Sequence, residues 1–167
     1  MIFGVALGSN LGDRAANLRR GIDLLMLRMP ECRITAEGGI YETEPVDCAP
    51  ATQAFLNTVI EIESPCSPGE LHSHLVAVES ELGRSAVREK NAPRTLDLDL
   101  LYAGDFVSDD PSLIIPHPRL HLRRFVLQPL WDIMPDMKLL GHQRTIAQHL
   151  AALQDDPSCV KRVADKW

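Results

Sequence analysis

Residues 92 to 101 read A-P-R-T-L-D-L-D-L-L, and the alternation of leucine with aspartate in this stretch decides how the rest of the chain is read. A period of two is the signature of a strand with one face buried and the other exposed. Leu96, Leu98 and Leu100 are therefore expected to face a core, while Asp97 and Asp99 share the opposite face, their Cα atoms roughly 6.5–7 Å apart at the rise of a strand. Carboxylates that close raise one another's pKa unless a cation lies between them. Aspartate is also a poor strand residue, so two of them mark more than a solvated face. A divalent metal shared with substrate phosphates satisfies the pair, because Mg²⁺ is usually held by one or two protein carboxylates plus phosphate oxygens. Arg94, just before the pair, is within reach of the same phosphates.

Outward from this strand, the chain reads as an alternation of short strands and helices. Residues 2–7 (I-F-G-V-A-L) form a buried strand, followed by the turn Gly8-Ser9-Asn10-Leu11-Gly12-Asp13. Asp13 is an N-cap for a helix carrying Leu18, Ile22, Leu25 and Met29 at helical spacing. The glycine turn matches neither common phosphate-loop pattern and is read as structural, with Asn10 near the substrate. A second strand is expected over Arg33 to Tyr41, weakened at Gly38-Gly39. Residues 42–52 read as a loop that walls a pocket.

Phe55 to Ile62 is the third strand, with Phe55, Asn57, Val59 and Glu61 on one face. Ser67-Pro68-Gly69-Glu70 is a capping box with proline at N1, opening a helix whose core stripe is Leu71, Leu75, Val78 and Leu82. Residues 85–92 lack periodicity and are expected to form a mobile loop over the site. Gly104-Asp105 reads as a hairpin turn into a short strand, and Pro116-His117-Pro118-Arg119 as a rigid loop before a helical region with Arg123, Arg124 and Phe125. A last short helix covers Thr145 to Leu153, and the tail to Trp167 is polar and uninformative.

The resulting order, strand, helix, strand, strand, helix, strand, predicts an α+β fold with a ferredoxin-like β-α-β-β-α-β sheet and added C-terminal helical segments. A length of 167 residues suits a single domain, taken as 1–167. Four cysteines, at 32, 48, 66 and 159, show no metal-ligand spacing and are read as reduced thiols. No apolar run approaches the length of a membrane span, so a cytoplasmic chain without membrane partners is expected. The net charge of −6 argues against general nucleic-acid binding. Its distribution is uneven: residues 34–83 hold nine Asp/Glu and no Lys/Arg, whereas 84–124 hold seven of the seventeen basic residues. A basic cluster around an acidic pair suits a polyanion carried with Mg²⁺, and ATP is such a ligand.

The string P-R-T-L-D-L-D-L resembles the signature of the 6-hydroxymethyl-7,8-dihydropterin pyrophosphokinases, which move pyrophosphate from ATP to a pterin alcohol. L-G-S-N-L-G-D at 7–13, F-L-N at 55–57, E-x-x-x-G-R ending at Arg84, and P-H-P-R with R-x-F at 116–125 resemble the same family, in its order.

The resemblance implies that Asp97 and Asp99 bind two Mg²⁺ ions bridging the ATP phosphates. Arg84 and Arg94 would stabilise charge as AMP leaves. Glu79, His117 and Arg123 would hold the nucleotide. Thr43, Phe55, Asn57 and Phe125 would form the pterin pocket, with Phe125 stacked on the ring. The implied partners are ATP and a reduced pterin, with the chain a monomer. No general base stands out; an Asp97 or Asp99 oxygen, or metal coordination of the hydroxyl, would serve.

The chain departs from the family pattern at three places. Asn91-Ala92 stands where Trp-Gly is common, Phe55 where tyrosine is usual, and Ala86 where a second loop arginine often occurs. The competing readings are a two-metal nucleotidyl transferase or phosphodiesterase, a non-catalytic pterin- or nucleotide-binding relative, and a structural module. The last leaves the two aspartates unexplained.

Overall fold

The computed structural model describes residues 1–44, 53–83, 93–154 and 159–165. In chain order the elements are β1 (Ile2–Ser9), α1 (Arg14–Arg28), β2 (Arg33–Glu37), β3 (Ile40–Thr43), β4 (Phe55–Glu63), α2 (Pro68–Glu81), β5 (Asp97–Ala103), a 3-10 turn (Leu120–Leu122), α3 (Arg124–Ile133), α4 (Ile146–Ala151) and β6 (Val160–Ala164). Both predicted helix starts form as the side-chain chemistry dictates. Asp13 accepts the Ala16 amide at 3.0 Å. Ser67 and Glu70 exchange the two bonds of a capping box.

The strands make one antiparallel sheet in the order β5-β1-β4-β3-β6, with β2 also paired to β4. β2 and β3 are one extended segment interrupted at Gly38-Gly39, where the weak point was expected. The result is an α+β protein with helices on both faces of an antiparallel sheet. On one face α1 and α2 pack Leu18, Ile22, Leu25, Leu71, Leu75 and Val78 against Phe3, Val5, Leu7, Ile60, Ile62, Leu98 and Leu100. A fully buried leucine contributes about 1.5–3 kcal/mol, so this layer supplies much of the cohesion. On the other face α3 and α4 cover Val59, Leu101 and Tyr102, through Leu120, Val126, Leu127, Leu130 and Ile146.

A bulge in β5 makes the second layer. Val5 pairs with Leu100 but Gly4 with Tyr102, which leaves Leu101 as the extra residue. Leu101 and Tyr102 thereby both join the second core cluster. The Tyr102 ring occupies the space over Gly4, where a Cβ would lie 2.1 Å from Cε1. Before the bulge the alternation is regular, so Asp97 and Asp99 stand on the α3 face while Leu98 and Leu100 point to α1 and α2.

The structure adds one element and corrects two expectations. The tail, uninformative as sequence, supplies a strand: Val160–Ala164 pairs with β3, Val160 opposite Thr43 and Arg162 opposite Tyr41. Its central residues Lys161, Arg162 and Val163 are exposed, which suits a charged edge strand and hides the alternation that betrays a buried one. After Gly104-Asp105 no full strand returns; only the bridges Ala103 to Phe106 and Ser108 to Ile115 form. Of the loop expected over 42–52, Glu42 and Thr43 continue β3 instead, and 45–52 lies outside the described residues, as does the loop over 85–92.

Candidate active site

Strand register assembles the site. Asp97 pairs across to Gly8, Gly8 to Asn57 and Asn57 to Tyr41, so one cross-strand row runs over the α3 face. Asp99 pairs with Ala6, one step nearer the second core cluster. Because α3 covers the sheet only beyond that point, the two carboxylates stay open, with side-chain exposures of 25% and 36%.

Each aspartate meets an arginine. Arg94 NH1 donates to Asp97 Oδ2 at 2.7 Å, and Arg123 NH1 to Asp99 Oδ2 at 3.1 Å. Fully buried Asn10 sets the Arg94 backbone from two sides: its Oδ1 accepts the Arg94 amide at 2.7 Å, and its own amide donates to the Arg94 carbonyl at 3.2 Å. The Asn10 Nδ2 is buried without a hydrogen-bond partner. Arg123 also lies over the Phe125 ring, 5.6 Å from its centroid.

His117 is fixed by its own loop. Its backbone amide donates to the Leu101 carbonyl at 2.8 Å, and Nδ1 accepts the Arg119 amide at 3.2 Å. Burial holds its pKa below the ordinary 6.5; the charge of Asp99 opposes that shift, while Arg123 and Arg119 reinforce it. The imidazole is thus neutral near pH 7, and with Nδ1 accepting, Nε2 carries the proton.

Asn57 and Thr43 form the buried polar end of the row. Asn57 Nδ2 donates to Thr43 Oγ1 at 2.7 Å. Between Asn57 and Asp97 stands Gly8, where a Cβ would lie 2.9 Å from Asn57 Oδ1 and 3.9 Å from the Asp97 Cβ. A side chain there would fill the gap between the amide and the carboxylate. Phe55 and Phe125 are both half-buried. Phe125 packs on the second core cluster with Val59, and Phe55 pairs with Thr43 at the far end of β4.

Glu79 occupies a different position from the others. It is buried in the last turn of α2, and its Oε1 accepts the Leu98 amide at 2.7 Å. β5 is an edge strand, so this bond holds its backbone between the two aspartates. Arg84 lies outside the described residues, as do Ala86, Asn91 and Ala92.

Behind the row, Asp132 of α3 accepts the Gly39 amide at 2.9 Å and the Tyr41 hydroxyl at 2.9 Å, with Arg162 at 3.6 Å. Burial and the Asp132 hydrogen bond push the Tyr41 hydroxyl up to about 12. This clamp ties α3, β3 and β6 together. No sequence signal marked it, because Asp132 lies 93 residues from Gly39 and 91 from Tyr41. The gap at Gly8 was also missed, although a glycine inside a strand that continues to Ser9 is a signal of close approach.

As a metal-binding set, two hard carboxylate oxygens fit Mg²⁺, which takes its remaining ligands from water and phosphate. Among the described residues no group of three or more His, Cys, Asp or Glu converges into an all-protein cage.

A family model described as 7,8-dihydro-6-hydroxymethylpterin-pyrophosphokinase matches residues 4–135. The chain belongs to this family. Curated relatives agree: a 2-amino-4-hydroxy-6-hydroxymethyldihydropteridine pyrophosphokinase of Pseudomonas aeruginosa is 40% identical over 137 residues, covering 81% of this chain and 82% of its own. One of Methylorubrum extorquens is 38% identical over 161 residues, covering 95% and 96%. Among solved structures, an HPPK-DHPS in complex with substrates superposes with a TM-score of 0.71 at 12% identity, over 93% of this chain. A Plasmodium falciparum HPPK-DHPS gives 0.70 at 15% identity, over 92%. At that identity the likeness concerns the fold, and this pyrophosphokinase chain spans 44% and 45% of those chains. No helix among the described residues is long and apolar enough to cross a membrane.

Proposed function

We propose that this family member transfers pyrophosphate from ATP to the hydroxymethyl group of 6-hydroxymethyl-7,8-dihydropterin, releasing AMP, at the row from Asp97 to Thr43. The observation that carries the reading is Asp97 and Asp99 open on one sheet face, each paired with an arginine, at the end of a row that finishes in a buried amide. Asp97 and Asp99 would hold two Mg²⁺ ions. When bound, Mg²⁺ neutralises phosphate charge that otherwise repels an approaching hydroxyl oxygen. With Asp97 and Asp99 holding metal, Arg94 and Arg123 would be free to pair with the phosphate oxygens instead, an exchange of one anionic partner for another. The neutral His117 adds an Nε2–H donor to the nucleotide side without adding charge. Arg84 is assigned with Arg94 to the charge that develops as AMP leaves.

On the pterin side, Asn57 presents Oδ1 toward the gap at Gly8 while Thr43 holds its Nδ2, so the amide meets the pterin edge in one fixed orientation. Phe125, stacked under Arg123, supplies a flat apolar wall where nucleotide and pterin meet, and Phe55 closes the other side. Glu79 acts as a positioning residue: by holding the Leu98 amide it fixes the separation of Asp97 from Asp99. We read the scaffold as ferredoxin-like, with β6 added at the β3 edge, and the protein as a cytoplasmic monomer.

The test is Mg²⁺-dependent, pterin-stimulated AMP release by the wild type, Asp97→Asn and Asp99→Asn, with circular dichroism as the folding control. The expected result is a loss of at least about 10²-fold in either folded variant, the scale of removing a main electrostatic contact. Undiminished turnover in both would overturn the metal assignment.

A further inference from the structure

We infer that His121, His142 and His149 form a binding site for one zinc-class transition-metal ion, separate from the two aspartates. His121 lies in the 3-10 turn, His142 in the loop before α4, and His149 within α4. Their ring centroids are 4.7, 5.1 and 5.6 Å apart. Zinc binds imidazole nitrogen at about 2.0–2.1 Å, which places ring centroids about 3.2 Å from the metal and about 5 Å from each other in a tetrahedral arrangement. The three observed separations bracket that value.

A second observation points the same way. The Nε2 of His149 is buried and has no hydrogen-bond partner, in a side chain only 7% exposed. A buried polar atom left unpaired is costly, and a nitrogen lone pair beside two other imidazoles is relieved by a shared cation. Burial together with neighbouring positive groups lowers the pKa of His149 and of His121, so both rings are neutral, the form that ligates metal.

As the side chains stand, tilted 53–74° to one another, no three ligating atoms among the described residues meet at one point. Closure takes rotation about χ2, a broad and soft torsion for histidine. His121 and His142 are half-buried rather than enclosed. Arg144, which acts on His149, opposes an added cation. Three imidazoles leave a fourth position for water, and imidazole donors select zinc, copper or nickel over magnesium.

The experiment is isothermal titration of zinc chloride into full-length, tag-free protein carrying Asp97→Asn and Asp99→Asn, which removes the carboxylate pair. Visible absorption after cobalt substitution reports the coordination. Either His121→Ala or His142→Ala, both at half-exposed positions, is added in turn. One zinc per chain is expected, with tetrahedral cobalt bands, and each histidine substitution weakens binding at least about 10-fold. At zinc roughly 100-fold above Kd, the melting temperature of the parent rises by about 5–10 °C and that of the variants does not. Absence of binding at millimolar zinc, binding unchanged in both histidine variants, or loss confined to one of them would overturn the site.

Discussion

Replacing Gly8 by alanine tests the geometry of the row with a single carbon atom. The added Cβ would lie 2.9 Å from Asn57 Oδ1, about half an ångström short of ordinary contact. Asn57 has no free retreat, because its Nδ2 is tied to Thr43 Oγ1 at 2.7 Å within the sheet. Alanine is favoured over glycine in a strand interior by about 0.5–1 kcal/mol. Against that gain, overpacking costs about 1–3 kcal/mol, and loosening the buried amide adds about 0.5–1.5 kcal/mol. The unfavourable terms win, so a net loss of about 1–3 kcal/mol and a melting temperature lower by about 2–10 °C are expected. Steady-state kinetics should show the apparent KM for pterin rising at least about 10-fold, with a smaller change for ATP, since a displaced positioning group can cost up to about 10²-fold. A Gly8→Ala protein as stable as wild type with an unchanged KM for pterin would refute the reasoning.

Three further outcomes follow from other parts of the structure. Glu79→Ala leaves the buried Leu98 amide without its carboxylate, so urea unfolding should show a loss of about 1–3 kcal/mol, and Glu79→Gln, which keeps an acceptor, a smaller one. Asp132→Ala releases the Gly39 amide, the Tyr41 hydroxyl and Arg162 together; a loss of about 2–4 kcal/mol is expected, with faster amide exchange in β3 and β6. His117, His121 and His149 all have folded pKa values below the ordinary 6.5. Their contribution to stability is therefore full above pH 6.5 and lost as the pH falls below it through the folded values, because the unfolded chain binds the extra protons. Melting temperatures recorded from about pH 7.5 down to about 5 should fall below 6.5, and less steeply in His149→Gln.

What could be read from residues alone was whatever is set over short distances. The Leu-Asp alternation placed Asp97 and Asp99 on one face because side-chain direction along a strand is purely local. The capping box at Ser67 and the break at Gly38-Gly39 are local for the same reason. β6 was not legible, since its partner Thr43 lies more than a hundred residues before it and its middle positions face solvent with charge. The Leu101 bulge depends on the Tyr102 ring finding bare backbone at Gly4, a meeting of β1 and β5 that no window of sequence contains. In the site, Arg94, Asp97, Asp99, Arg123, Asn57 and Thr43 were named and are in contact as three pairs. Glu79 was named with the nucleotide ligands; its hold on the Leu98 amide follows from how α2 sits against the sheet edge.

The most direct test is the identity of the products. ³¹P NMR of a single reaction containing ATP, Mg²⁺, the protein and 6-hydroxymethyl-7,8-dihydropterin should show AMP and a pterin diphosphate rising in equal amounts, with no ADP. ADP with a pterin monophosphate, or hydrolysis of ATP independent of pterin, would contradict pyrophosphate transfer as the activity of this site.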